Sequence, residues 1–201
     1  MIGENEVIVI DDLVNIEYQN YIKDILIGEE SYKDQNFPWY YTEDVTGAGD
    51  YDSQHRTALG HNYVELLDDD KTTSIISNFH ELFVPMLKKA CSRVGMYQSN
   101  VIQGRSFLQF PLNLKNPLEP DTPHIDIYRR KHLVVLYYVC DSDGDTIIYN
   151  EREYERPDGM YTIKQKVTPK QGRAVLFDGM LMHTAMQPIN NIRCVVNYNL
   201  D

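Results

Sequence analysis

The stretch DTPHIDIYRRKHLVVLYYVCDSDGDT, residues 121–146, sets an imidazole and a carboxylate two positions apart, His124 and Asp126, at the mouth of a strongly β-like run. That run belongs to a longer series. From Val101 onward the chain is written in short β-branched and aromatic segments, VIQGRSFLQF, HLVVLYYV, DTIIYN, YTIKQKV, GRAVLFDG and IRCVVNYNL, separated by Pro, Gly, Asp and Asn turns. This is the pattern of a small barrel or a double-sheet jelly roll with helices packed outside, so the expected class is mainly β with flanking helices.

Working back toward the N-terminus, EVIVIDDLVNIEYQNYIKDILIGEE reads as a strand and then a helix. Asp11 or Asp12 can cap that helix, Val14, Tyr18, Tyr21 and Ile25 recur on one face, and Gly28 ends it. Residues 34–63 read as a loop carrying Pro38, Gly47, Gly49 and Gly60 among Phe37, Trp39, Tyr40, Tyr41, Tyr51 and Tyr63, either a lid or a packed cover. TTSIISNFHELFVPMLKKACSRVG carries an apolar stripe from Ile75 and Ile76 to Val94 and reads as one helix, which Pro85 can kink. The Asp68–Asp70 run before it reads as a solvated helix start. The organisation expected is one domain over residues 1–201: residues 1–100 give helical support and the aromatic loop, and 101–201 give the jelly-roll core with its site.

Composition narrows the class of function. Of 201 residues 42% are hydrophobic, enough for one good-sized core, and 19 basic against 30 acidic residues give a net charge of −11. No Lys/Arg cluster forms a phosphate-binding stripe, which argues against a nucleic-acid partner. The opening MIGENEVIVIDD is acidic, with an apolar run too short for a signal peptide, and no later stretch is long enough to cross a bilayer, so a cytoplasmic location with no membrane partner is expected. Cys91, Cys140 and Cys194 are odd in number and widely spaced, as for reduced, buried thiols.

In a strand, residues i and i+2 share a face, so His124 and Asp126 can present a nitrogen and an oxygen to one point. The pair alone is weak. His183, 59 residues on and just beyond the Asp178-Gly179 turn, stands where a returning strand of a jelly roll can bring a third ligand. Two histidines and one carboxylate leave adjacent coordination positions open, as in non-haem Fe(II) oxygenases, whereas a structural zinc site closes its tetrahedron. Arg193 opens the run RCVVNY ten residues later, placed to bind a carboxylate in the same cavity, and alternation sends Tyr137 and Tyr138 to opposite faces, one of them inward. His132 reads as a strand residue, His80 as part of a helix, and His55 and His61 as loop residues open to substrate contact.

With PHID, LYYVCDSDGDTIIY, PKQGRAVLFDG, MHTAMQP and IRCVVNY in this order over residues 101–201, the sequence resembles the 2-oxoglutarate- and Fe(II)-dependent dioxygenases, in particular the prolyl-hydroxylase-like branch and its small viral and bacterial relatives. The resemblance implies a double-stranded β-helix of the jelly-roll, cupin-like type. It implies Fe(II) on His124, Asp126 and His183, with 2-oxoglutarate as co-substrate, O2 as oxidant and ascorbate as reductant. Arg193 would hold the distal carboxylate, assisted by Tyr138, and Arg105 and Gln109 are candidates for the iron-bound end. The chain departs from the family in two places: Val195 stands where many members carry a small hydroxyl residue, and the usual Gly-Gly-Glu-Thr turn reads DGDT, residues 143–146. The reaction implied is hydroxylation of a C–H bond on a peptide or small molecule, with release of succinate and CO2. A non-catalytic jelly-roll module and a zinc hydrolase using the same triad are the alternatives. The first predicts loss of a ligand or of Arg193, and the second gives the arginine no purpose.

Overall fold

The computed structural model describes residues 3–28, 37–45, 56–67, 72–96, 100–152 and 160–201. Strand β6 (Leu133–Tyr138) is buried at every residue, and its alternation divides the interior in two. Val134, Leu136 and Tyr138 meet Ile148, Val175, Phe177, Leu181 and Val195 in one cluster. Leu133, Val135 and Tyr137 face the other way, into a larger cluster that holds Ile22, Ile25 and Leu26 of helix α1 (Ile16–Ile27) and Phe83, Met86 and Leu87 of helix α2 (His80–Arg93). A strand covered on both faces has no use for a charged position, which is why LVVLYYV runs on in aliphatic and aromatic residues without a break.

The remaining elements are β1 (Val7–Ile10), β2 (Tyr40–Thr42), β3 (Ala58–Leu66), β4 (Thr73–Ile75), β5 (Val101–Gln109), β7 (Thr146–Arg152), β8 (Ile163–Val167), β9 (Ala174–Asp178), β10 (Leu181–Ala185) and β11 (Arg193–Leu200). The described strands form one sheet in the order β1-β9-β6-β11-β5-β3-β2, with β4 also on β3, and a second sheet β10-β7-β8. Every pairing is antiparallel. From β5 on, the chain crosses repeatedly between the sheets: β6 in the large one, β7 and β8 in the small, β9 back in the large, β10 in the small, β11 in the large. This is the expected jelly roll, with helices α1 and α2 on the outer face of the large sheet.

The first hundred residues differ from the sequence expectation. The segment read as a loop over 34–63 contributes β2 and most of β3, and β3 pairs with β5 along Ala58–Val64, so the N-terminal part widens the large sheet by four strands. Over its described residues it is a packed cover: Phe37 lies against the rings of Trp39, His61, Tyr63 and Phe79, and the Trp39 indole donates to the Leu26 carbonyl at the end of α1 (3.0 Å). Helix α2 begins at His80, not near Thr72. The β-branched residues before it favour extended backbone and pair with β3 as β4, leaving Ile75 and Ile76 exposed. Pro85 sits inside α2, which runs on past it. The cap of α1 is Asn15, whose Oδ1 accepts from the Tyr18 amide (3.0 Å), because Asp11 is held in a bidentate pair by Arg173 (2.6 and 3.0 Å). Tyr21 faces outward, and buried Gln19 takes an interior place, donating to the Val14 carbonyl (2.9 Å). Gly28 ends the helix, its amide donating to the Asp24 carbonyl (3.0 Å). Cys91, Cys140 and Cys194 are buried and form no disulfide. Asp68–Asp70, Tyr51 and His55 lie outside the described residues, and no described helix is long and apolar enough to cross a membrane.

One contact offers a direct test of this packing. Gly104 on β5 pairs with Tyr198 on β11, and the buried ring of Tyr198 lies over it; a Cβ at 104 would stand 2.3 Å from Cε1. Tyr198 is tied in place by a 3.0 Å hydrogen bond to His80 Nδ1. Gly104→Ala should therefore destabilise the protein by about 1–3 kcal/mol, the usual range for overpacking. Urea unfolding followed by circular dichroism would show this as a lowered midpoint.

Candidate metal centre

His124 and His183 are direct partners in an isolated antiparallel bridge, each amide donating to the other's carbonyl at 2.9 Å. Residues opposite one another in such a pair send their side chains to the same face, and the two rings stand 4.8 Å apart. The bridge extends the small sheet beyond β10 by the segment carrying His124. Two residues later, where the chain bends, Asp126 turns a buried carboxylate toward both rings, with Oδ1 3.9 Å from His124 Nε2 and Oδ2 3.8 Å from His183 Nε2.

The far side of each ring fixes the near side. His124 Nδ1 lies 3.1 Å from the Thr122 carbonyl and His183 Nδ1 3.0 Å from the Leu181 carbonyl, and only an N–H can face a carbonyl oxygen. In the neutral imidazoles that leaves each Nε2 as the lone pair, so that the cluster can offer three ligand atoms within 4.8 Å of one another. Acceptors gathered this way call for a cation, and ligating histidines are oriented by just such Nδ1–H contacts. Burial first, and then the neighbouring His183, push His124 down to about 4, so its ring is neutral and available at neutral pH. Burial alone would raise Asp126, but its neighbours, the charge of Arg105 foremost, hold it well below the usual carboxylate range. Arg105 pairs with Asp126 Oδ1, and Asn197 donates to Oδ2 at 3.0 Å.

These groups open into a cavity of about 340 Å³ between the two sheets. Cross-strand register builds its floor. Arg193, Val195 and Asn197 of β11 stand opposite Gln109, Phe107 and Arg105 of β5, so all six share the interior face, and all six line the cavity. At the end away from Asp126 the buried Arg193 guanidinium donates through Nε to the Gly144 carbonyl (2.9 Å), through Nη1 to Gln109 Oε1 (2.7 Å) and through Nη2 to Thr146 Oγ1 (3.0 Å). Tyr138 lies behind, its hydroxyl 2.7 Å from the same Thr146 oxygen and its ring centre 5.9 Å from the guanidinium. Tyr137 is on the opposite face, in the core with the helices. Among the described residues no ion pair includes Arg193, and burial lowers its basicity. A guanidinium this buried, with three neutral acceptors and no carboxylate, can receive an anion.

The structure thus brings His124, Asp126 and His183 together at one end of the cavity, with Arg193, Gln109 and Tyr138 at the other. Arg105 stands on Asp126. Asp178 shapes its turn, accepting from the Met180 amide (3.0 Å), and pairs with Arg152 (2.8 Å). His61 is bonded on both nitrogens, to the Pro38 carbonyl and Ser77, and His80 to Tyr198, so both are structural. His132 is buried against the Arg130 carbonyl. Sequence reasoning missed Thr146, Asn197 and Asp143. The Asp143 carboxylate accepts from the amides of Ile189, Asn190 and Asn191 (3.2, 2.9 and 3.4 Å), fixing the turn that delivers Arg193. The DGDT turn was the available signal for Asp143 and Thr146.

No protein-family profile matches the chain, and no curated protein matches it. Solved structures do. An oxidoreductase of the 2OG-Fe(II) oxygenase family from Burkholderia pseudomallei matches with a TM-score of 0.68 at 9% identity, over 97% of this chain and 84% of that one. A prolyl hydroxylase in complex with a hypoxia inducible factor oxygen degradation domain peptide fragment from Trichoplax adhaerens matches at 0.58 and 14% identity, over 98% and 83%. The viral collagen prolyl hydroxylase of Paramecium Bursaria Chlorella virus-1 matches at 0.52 and 10%, over 96% and 88%. At such identities the likeness establishes the fold, the jelly roll on which these oxygenases are built.

The donor set suits a divalent first-row ion with positions left open. Mn(II), a redox-quiet stand-in, should bind with a stoichiometry of one per chain in isothermal calorimetry. His124→Ala and His183→Ala should each abolish that binding while leaving the circular dichroism spectrum unchanged; a retained stoichiometry in either would remove the metal from this site.

Proposed function

We propose that the protein is an Fe(II)- and 2-oxoglutarate-dependent dioxygenase that hydroxylates a C–H bond of a peptidyl residue or a small molecule. One observation carries the reading: a two-histidine, one-carboxylate cluster and a buried arginine without a carboxylate partner face each other across one cavity. A dicarboxylate that binds a metal at one end and a guanidinium at the other fits that arrangement, and neither a zinc hydrolase nor an inert module has a use for both.

His124, Asp126 and His183 would hold the iron on one side, leaving its other side to the cavity. Bound there, iron would supply the site at which O2, the oxidant, is activated, with 2-oxoglutarate giving up two electrons and leaving as succinate and CO2. The chain's own residues do the positioning. Arg193 presents its outer donors to the distal carboxylate, held in orientation by Gly144, Gln109 and Thr146. Thr146 Oγ1 accepts from Arg193 and stands against the Tyr138 hydroxyl, so this pair of hydroxyls retains one proton to donate to the same carboxylate. Val195, packed beside Tyr138 across the strand pair, offers no hydroxyl, and Thr146 supplies one from the facing strand. Val134, Leu136, Phe177 and Val195 wall the cavity with carbon, which keeps water from the open side and strengthens each charged contact.

Breaking a buried charge pair from one side costs about 3–5 kcal/mol, roughly a hundred- to several-thousand-fold in affinity. Arg193→Leu should therefore raise the KM for 2-oxoglutarate steeply and leave Mn(II) affinity nearly intact, since the arginine is not a ligand. Arg193→Lys should rescue only in part, keeping charge but losing the planar fork. With Fe(II), ascorbate and 2-oxoglutarate but no prime substrate, the wild type should release succinate slowly. Succinate no higher than in an iron-free control, from protein shown to hold metal and co-substrate, would favour the non-catalytic module.

A further inference from the structure

The ionised groups lining the cavity, among the described residues, are Asp121, Asp126, Arg105 and Arg193. Asp121 is taken by Arg56, whose Nε lies 2.7 Å from Oδ1 in a fully buried pair. On the reading just proposed, on which this inference rests, Arg193 is neutralised by the distal carboxylate, and a divalent ion by Asp126 together with the near carboxylate. Arg105 is then left over. Its pairing with Asp126 does not change the count, because one carboxylate shared between a dication and a guanidinium neutralises only one unit of their charge.

Position separates Arg105 from the arginine that binds the co-substrate. It stands four residues from Gln109 along β5, roughly 13 Å at strand rise, at the Asp126 end of the cavity and not the Arg193 end. Its side chain remains 21% exposed, and Tyr128, largely exposed, lines the same cavity. Its guanidinium rests 5.2 Å from the Phe107 ring centre, a contact that fixes direction without cancelling charge. Nη2 makes the bond to Asp126, while Nε is buried with no hydrogen-bond partner. Next to it Asn197, which also lines the cavity, keeps Oδ1 buried and without a partner.

We propose that Arg105, whose side chain keeps part of its surface open to the cavity, is the docking point for a carboxylate of the prime substrate. The excess is one positive charge, which a carboxylate cancels; a phosphate monoester, carrying about −1.5 to −2 at neutral pH, would overshoot. The substrate class is thus a carboxylic acid, such as an N-acyl amino acid or a peptide's terminal carboxylate. The chain's net charge of −11 gives such a substrate no long-range attraction, but surface charge is screened within about 8–10 Å at physiological salt, whereas an interior cation acts in contact.

The test uses the full chain loaded with Mn(II) and 2-oxoglutarate and follows its thermal unfolding midpoint with millimolar N-acetyl amino acids and with their neutral amides. The acids should raise the midpoint and the amides should not. The rise should vanish in Arg105→Gln and survive in part in Arg105→Lys, while calorimetry shows 2-oxoglutarate affinity in both variants within about threefold of wild type. Acids and amides acting alike, or an Arg105→Gln variant responding as the wild type does, would overturn the proposal. A loss of about tenfold or more in 2-oxoglutarate affinity in Arg105→Gln would also overturn it, by assigning Arg105 to the co-substrate. Wild-type protein that binds neither Mn(II) nor 2-oxoglutarate would defeat the functional reading itself, a failure visible in the calorimeter before any acid is added.

Discussion

Burial of the central strands β6 and β11 on both faces is the constraint from which the rest of the arrangement follows. Strand β11 is buried along its whole length, between β5 on one side and β6 on the other. One face gives Cys194, Val196 and Tyr198 to the core shared with the helices; the other gives Arg193, Val195 and Asn197 to the cavity. Because side chains alternate with a period of two, the face of Arg193 cannot change without moving every core residue of the strand. The site is held in register by the same hydrophobic burial that makes the fold. A charged side chain survives there because its donors are met at once, by Gly144, Gln109 and Thr146, and because polar atoms left without partners in a carbon-walled interior cost far more than they do in water.

What the sequence reveals and what it hides divides along a physical line. The jelly-roll strands were legible from Val101 onward, since each is a short apolar run bounded by turn residues. Strand β3 was not: ALGHNYVEL contains Gly60, His61 and Asn62, a turn-like triplet, and is extended because β5 pairs with one of its edges and β2 and β4 with the other. The Ile75–Ile76 end of the α2 stripe misled for the opposite reason. Apolar spacing continued the helical period into residues whose exposed side chains contribute nothing to the helix face.

The site divides in the same way. His124, Asp126, His183 and Arg193 can be picked out because each stands at a boundary between a β-like run and a turn, where chemistry gathers. Asn197 cannot, and Thr146 only as the last residue of the DGDT turn, since what makes them part of the site is which residue of another strand lies opposite. Asn197 meets Asp126 only because it faces Arg105 across β11 and β5, and Thr146 meets Arg193 only because β7 crosses the cavity there. Register over ninety residues of separation is a property of the folded sheet and leaves no local mark.

The two arginines differ in position and so in environment, though not in residue type. Arg193 is buried to the point where only a ligand can bring a negative charge to it, so its carbonyl, amide and hydroxyl acceptors act as a frame and not as counter-charges. Arg105 is partly exposed and already leans on Asp126, a carboxylate that three other groups also claim: His124, His183 and Asn197. A metal entering that cluster would take electron density from Asp126 and leave the guanidinium underpaired. In a low-dielectric cavity an underpaired cation is a strong attractor for any anion that reaches it. On the proposed reading, the Arg105 end of the cavity would become hospitable to an acid only once a metal is bound beside it.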